Sequence, residues 1–167
     1  MLAYDKTEAM LIGSYRYLDY NININVKVTN GPIRLLGVYL DRDPHLTVME
    51  NFDNRIEALL RQLHWWKARN LTLKGKTLIL KSIALSKLQY VVSILPVPNE
   101  IIKKINSIMY EFIWGGNTDK VKRQIFEQSF ERGGYKMVDF KDVIFASSIM
   151  WIKQYSSDAD RDWKFTF

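Results

Sequence analysis

Cysteine is absent from the 167 residues, and His45 and His64 are the only histidines. The first absence excludes disulfides and thiolate metal sites. The second leaves zinc too few nitrogen donors, and no set of carboxylates stands beside them at ligand spacing. The opening residues lack the charged segment and apolar run of a secretory leader. A long apolar run is also missing. The most apolar window, Leu78 to Leu95, is interrupted by Lys81 and Lys87, and two such charges near its middle exclude a membrane span. No segment is low-complexity and no internal period is visible.

One further absence is local. Between Ala58 and Asn99 there is no Asp or Glu, yet Arg61, Lys67, Arg69, Lys74, Lys76, Lys81 and Lys87 fall there. The rest of the chain is nearly balanced, so the net charge of +6 belongs to this central block. Such asymmetry fits a polyanionic partner. It fits a solvated basic face equally well.

Three regions differ in their hydrophobic period. Up to about Pro44 the pattern is that of strands. Tyr20 to Val28 (YNININVKV) alternates strictly, with Ile22, Ile24, Val26 and Val28 on one face,. Asn30-Gly31 supplies the positive φ angles of a tight turn, and Ile33 to Leu40 is expected to return as the partner strand. Ala9 to Ile12 reads as another short strand.

From Val48 the period becomes helical. Val48, Phe52, Ile56, Leu59, Leu60, Leu63 and Trp66 recur every three or four residues,. After a break at Arg69-Asn70, Thr72 is expected to cap a helix that runs to about Leu95 and ends at Pro96 and Pro98. On that helix Lys74 and Lys81 share one flank, while Lys76 and Lys87 share another. Ser82, Ser86, Gln89 and Ser93 form a narrow polar stripe suited to helix–helix hydrogen bonds or to sugar contacts. A third helix starts near Asn99 and stops at Gly115-Gly116. Residues 117–138 are basic and irregular, and Asp139 caps a last helix reaching about Tyr155. The fold class is therefore α+β, mainly α: an N-terminal β-hairpin, a helical bundle and a C-terminal helical extension.

The segment from Lys67 to Pro98, KARNLTLKGKTLILKSIALSKLQYVVSILPVP, resembles the region after the palm of non-LTR (LINE-type) retrotransposon reverse transcriptases. Four further blocks agree in order. DKTEAMLIGS (Asp5 to Ser14) resembles the end of palm motif D, with Lys6 matching its lysine. IRLLGVYLD (Ile33 to Asp41) resembles motif E, the primer-grip hairpin. DKVKRQIF (Asp119 to Phe126) and ERGGYKMVDF (Glu131 to Phe140) match the downstream basic and Gly-Gly blocks. The sequence departs at Leu35 and Tyr135, where the family commonly has Tyr and Leu.

The resemblance implies that residues 1–45 are the end of a palm with a primer-grip-like hairpin. Residues 46–116 would be a helical thumb-like region, and 117–167 a basic loop with a C-terminal helix. It implies a fragment of an RNA-directed DNA polymerase that holds a template–primer duplex, RNA–DNA or DNA, by phosphate contacts. The family's catalytic carboxylates precede motif D, so this chain would hold no catalytic residue, metal or cofactor. The Mg²⁺ would belong to the parent enzyme, and this piece alone would be inactive. Asp41 and Asp43 are read as an acidic turn leaving the hairpin. The Gly75-Lys76-Thr77 triplet lacks the earlier glycine of a phosphate loop.

Candidate nucleic-acid contacts are Leu36 and Gly37 at the grip, Lys67, Arg69, Lys74, Lys76, Lys81 and Lys87 in the basic block, and Lys122 and Arg123 beyond it. Trp65 is the surface candidate of its pair, Trp66 a core residue. The missing partner would be the palm and fingers of the same polyprotein, working inside the cell and in the nucleus within a retrotransposon complex. The rival expectation is a helical protein-interaction module, or an inactive element remnant, with no nucleic-acid role.

Overall fold

The computed structural model describes residues 7–15, 26–116 and 118–156. Among these the protein is mainly helical, with two small strand pairs near the N-terminus. The chain divides into two compact units between Asn54 and Arg55.

In the first unit, β1 (Glu8–Ala9) pairs in parallel with β2 (Lys27–Val28), and β3 (Ile33–Leu35) pairs antiparallel with β4 (Val38–Leu40). This corrects the expected hairpin. The segment from Ile33 to Leu40 is itself a hairpin rather than one strand returning from Asn30-Gly31. A two-residue hairpin turn of type I′ needs positive φ at both central positions, and Leu36 (φ 50) with Gly37 (φ 84) supplies them. Gly37 is therefore a turn residue, and Leu36 stands at the exposed tip. The first strand is also shorter than expected and excludes Leu11 and Ile12. Of the alternating segment, residues 20–25 lie outside the described residues, as do Lys6 and everything after Ser156.

Asn51 ties this hairpin to helix α1 (Pro44–Lys67). Its Oδ1 accepts from the Tyr39 amide at 3.0 Å, and its Nδ2 donates to the Tyr39 carbonyl at 2.6 Å. The edge strand thus gains the two backbone partners a neighbouring strand would have offered. Asp41 and Asp43 form the expected acidic turn. Asp41 Oδ1 accepts from the Asp43 amide, and Asp43 Oδ1 accepts from the His45 amide. Pro44 then begins the helix, where a missing N–H costs nothing.

The second unit holds most of the core. From α1 it receives Ile56, Leu59 and Leu63, all buried. A continuous helical rod follows: α2 (Leu73–Ile79), one π-helical turn (Leu80–Ala84) and α3 (Leu85–Val92). Thr72 caps its start as expected, its hydroxyl accepting from the Gly75 amide at 3.2 Å,. Leu80, Ala84, Leu88 and Val91 are fully buried along it. Helix α4 (Asn99–Trp114) contributes Ile101, Ile105, Met109, Phe112 and Ile113 and ends at Gly115 in the left-handed conformation (φ 71),. Its first residue is Asn99, but Pro98 occupies the capping position and no side chain caps it.

The short helix α5 (Arg123–Glu127) leads into a folded loop, and α6 (Phe140–Ser156) closes the unit against α3 and α4. Asn106 holds the start of α6, donating to Asp139 Oδ1 at 2.8 Å and accepting from the Phe140 amide at 3.0 Å. Asp139 also caps α6 through the Lys141 amide. No helix among the described residues is long and apolar enough to cross a membrane.

Candidate nucleic-acid interface

The π-helical turn changes the flanks on which the basic residues leave the rod. A π turn absorbs an extra residue, so everything beyond it is turned back by roughly a quarter-turn. Lys87, half-buried on α3, therefore no longer follows the flank of Lys76. Lys74 and Lys81 keep their common flank because Lys81 lies at the start of that turn. The serine stripe also differs from the expected helix–helix bonding. Ser82 donates to the Leu78 carbonyl, Ser86 to Ile83 and Ser93 to Tyr90, each within its own helix,.

Lys76 is committed to structure: its ammonium donates to the Ile113 carbonyl at 2.8 Å, satisfying the end of α4, and lies 5.9 Å from the Phe112 ring. Arg69 covers the Trp66 ring at 4.5 Å. Trp66 is accordingly half-exposed beneath a guanidinium rather than a core residue, whereas Trp65 is 78% exposed. Lys67 is exposed at the end of α1 and borders a shallow groove of about 260 Å³ with Leu60, His64 and Glu111. Arg123 pairs with Asp119 at 2.7 Å and lies over the Tyr110 ring at 4.3 Å, so its guanidinium braces α5. Lys122 is exposed, and its carbonyl accepts from the first amides of that helix.

A grouping absent from the sequence argument centres on Phe130. Lys74 Nζ lies 5.1 Å from the centroid of this exposed ring and Lys136 Nζ lies 5.4 Å from it. Lys81 belongs to the same group: burial and the neighbouring charge of Lys136 hold its ammonium below the ordinary lysine range,. Among the described residues none of these three lysines is paired with a carboxylate.

The loop that delivers Lys136 explains the Gly-Gly block. Gly133 ends a short 3₁₀ turn in the left-handed conformation. A Cβ on Gly134 would stand 2.2 Å from the Gln128 carbonyl oxygen and 2.7 Å from that of Ile125. Lys136 follows with φ 52, its amide donating to Gln128 O at 2.8 Å. Tyr135, the departure from the usual leucine, stacks on Phe126 at 4.7 Å, and Trp114 packs on the same ring at 5.3 Å. The sequence signal for Lys136 was the adjacent glycine pair, which marks a loop pressed against backbone.

No family model matches the chain. Over 125 residues it is 27% identical to the "Transposon TX1 uncharacterized 149 kDa protein" of Xenopus laevis, an alignment covering 74% of this chain. The aligned part is 9% of that protein, so the chain spans a small fraction of the relative it matches. This partial similarity bears on a transposable-element origin, and the relative's name states no activity.

Proposed function

We propose that this chain is a piece of a retrotransposon RNA-directed DNA polymerase that grips the template–primer duplex through its phosphates. One observation carries the proposal. Of the seven basic residues between Ala58 and Asn99, Arg61 alone has a carboxylate partner among the described residues, Glu57 at 3.6 Å. A purely structural basic block would be expected to carry more such pairs. Unpaired ammonium and guanidinium groups are what a phosphate backbone neutralises, and they do so without regard to sequence while a duplex slides past. The similarity to a transposon protein supports the same reading. Polymer synthesis itself would belong to carboxylates elsewhere in the parent protein.

The test is a binding titration of an RNA–DNA hybrid at several salt concentrations. Because Lys76 and Arg123 are engaged within the fold, only part of the basic set reaches phosphates together. A log–log salt slope of roughly −2 to −4 is expected, without base preference. Undetectable binding at low salt, with the fold intact, overturns the proposal.

A second reading has its own observation. Phe145, Ile149, Trp151, Ile152 and Tyr155 stand exposed along α6, an apolar surface suited to a protein neighbour. A protein-interaction module with no nucleic-acid role is the reading left if the titration fails.

A further inference from the structure

We propose that Lys74, Lys81 and Lys136 form a single phosphate seat, built on the Phe130 ring, that takes one backbone phosphodiester of a nucleic-acid strand. The inference rests on the duplex-gripping reading and specifies where one phosphate sits and how it is held.

Three features set this group apart from the other surface lysines. Its members come from elements far apart in sequence, the α2 rod and the loop after α5, yet two of their ammonium groups lie against the same aromatic ring. The position of Lys136 is fixed rather than free. Its backbone is left-handed, its amide is bonded to Gln128, and Gly134 just upstream is pressed onto two carbonyl oxygens. Like charges are thereby gathered without a counter-ion, since no carboxylate among the described residues pairs with any of them.

Such an arrangement costs energy in the free protein: burial first, and then the charge of Lys136, lower the proton affinity of Lys81,. A phosphate oxygen cluster relieves it. The aromatic ring anchors the ammonium groups by cation–π attraction while leaving their remaining N–H donors for the anion. Lysine binds phosphate as a point charge, so the seat is blind to base identity. Held in advance, the groups lose little freedom on binding.

The seat makes an unusual demand on the salt dependence. Counter-ion release follows the number of phosphates neutralised, not the number of lysines. Three lysines on one phosphate therefore contribute about one unit of slope together, whereas three separate contacts would contribute about three.

The experiment measures anisotropy of a labelled RNA–DNA hybrid with the full chain, over a range of salt, after circular dichroism has verified each fold. The variants are K74Q, K81Q, K136Q, the triple variant and Phe130→Leu. The control is K141Q, a lysine that also lies on an exposed ring, Phe145 at 6.0 Å, but stands outside this group. Each single variant should weaken binding by about 3- to 10-fold, and the triple should flatten the slope by about one unit. Phe130→Leu, which keeps every charge, should weaken binding comparably and leave K136Q with little further effect. K141Q should match the wild type. If the wild type fails to bind, the duplex reading itself falls. If it binds but the seat variants match K141Q, or the triple loses about three units, the single seat is refuted and the duplex reading stands. Capture of the wild type by phosphatidylserine vesicles but not by the hybrid would assign the lysines to a lipid headgroup and overturn the seat as proposed.

Discussion

Gly134→Ala is the substitution in which sequence, packing and the proposed site meet. The added methyl carbon would stand 2.2 Å from Gln128 O and 2.5 Å from its carbonyl carbon, both rigid backbone atoms. The loop must shift by the better part of an ångström, which as overpacking costs about 1–3 kcal/mol. Gly133→Ala is the informative comparison. It has open space around the new carbon but a φ of +78, so its cost is conformational alone, about 1 kcal/mol. Urea unfolding followed by circular dichroism should therefore rank the variants wild type, Gly133→Ala, Gly134→Ala. With a slope of about 1–3 kcal/mol per molar urea, the last midpoint should fall by about 1 M. Gly134→Ala should also weaken hybrid binding, because the loop carries Lys136. A Gly134→Ala midpoint equal to that of wild type, or above that of Gly133→Ala, would refute the packing argument.

Other expected outcomes concern single contacts. Asn51→Ala removes both backbone partners of Tyr39 and should cost about 2–3 kcal/mol, read as loss of hydrogen-exchange protection across β3 and β4,. Lys76→Met removes the donor to Ile113 O; it should lower stability by about 1 kcal/mol while leaving the salt slope of hybrid binding unchanged,. Tyr110→Phe deletes the hydroxyl that donates to Glu127 at 2.9 Å and should cost about 1 kcal/mol in the same urea assay,. Purified chain given Mg²⁺, primed template and nucleotides should extend no primer; extension that disappears in an Asp41→Asn, Asp43→Asn double variant would make those turn residues catalytic instead.

The helices were legible because their ends are written in local chemistry. Thr72, Gly115 and Asp139 each act through neighbours within a few residues, and each marks an end in the structure, whereas α3 stops at Val92, short of the expected Leu95 and Pro96. Strand pairing was less legible, since Asn30-Gly31 and Leu36-Gly37 are both acceptable turns and only distant contacts choose between them. The clamp of Asn51 on Tyr39 lies beyond a hydrophobic period for the same reason. The π turn displaced Lys87 through geometry that an ideal helical projection does not contain. Lys136 was missed because its direction depends on a left-handed backbone and on Gly134, not on any charge pattern. Lys74 and Lys81, seven residues apart, reach only the start of the π turn and escape most of the displacement.

The most direct measurement is an amide chemical-shift titration of the isotope-labelled chain with an RNA–DNA hybrid, extended to the lysine side chains. A duplex held as proposed should shift residues 72–82 and 128–138 together, with the ammonium signals of Lys74, Lys81 and Lys136 moving at one common affinity. Amides of α6 around Ile149 and Ile152 should stay still. Shifts confined to α6, or no shifts at low salt, would contradict the account.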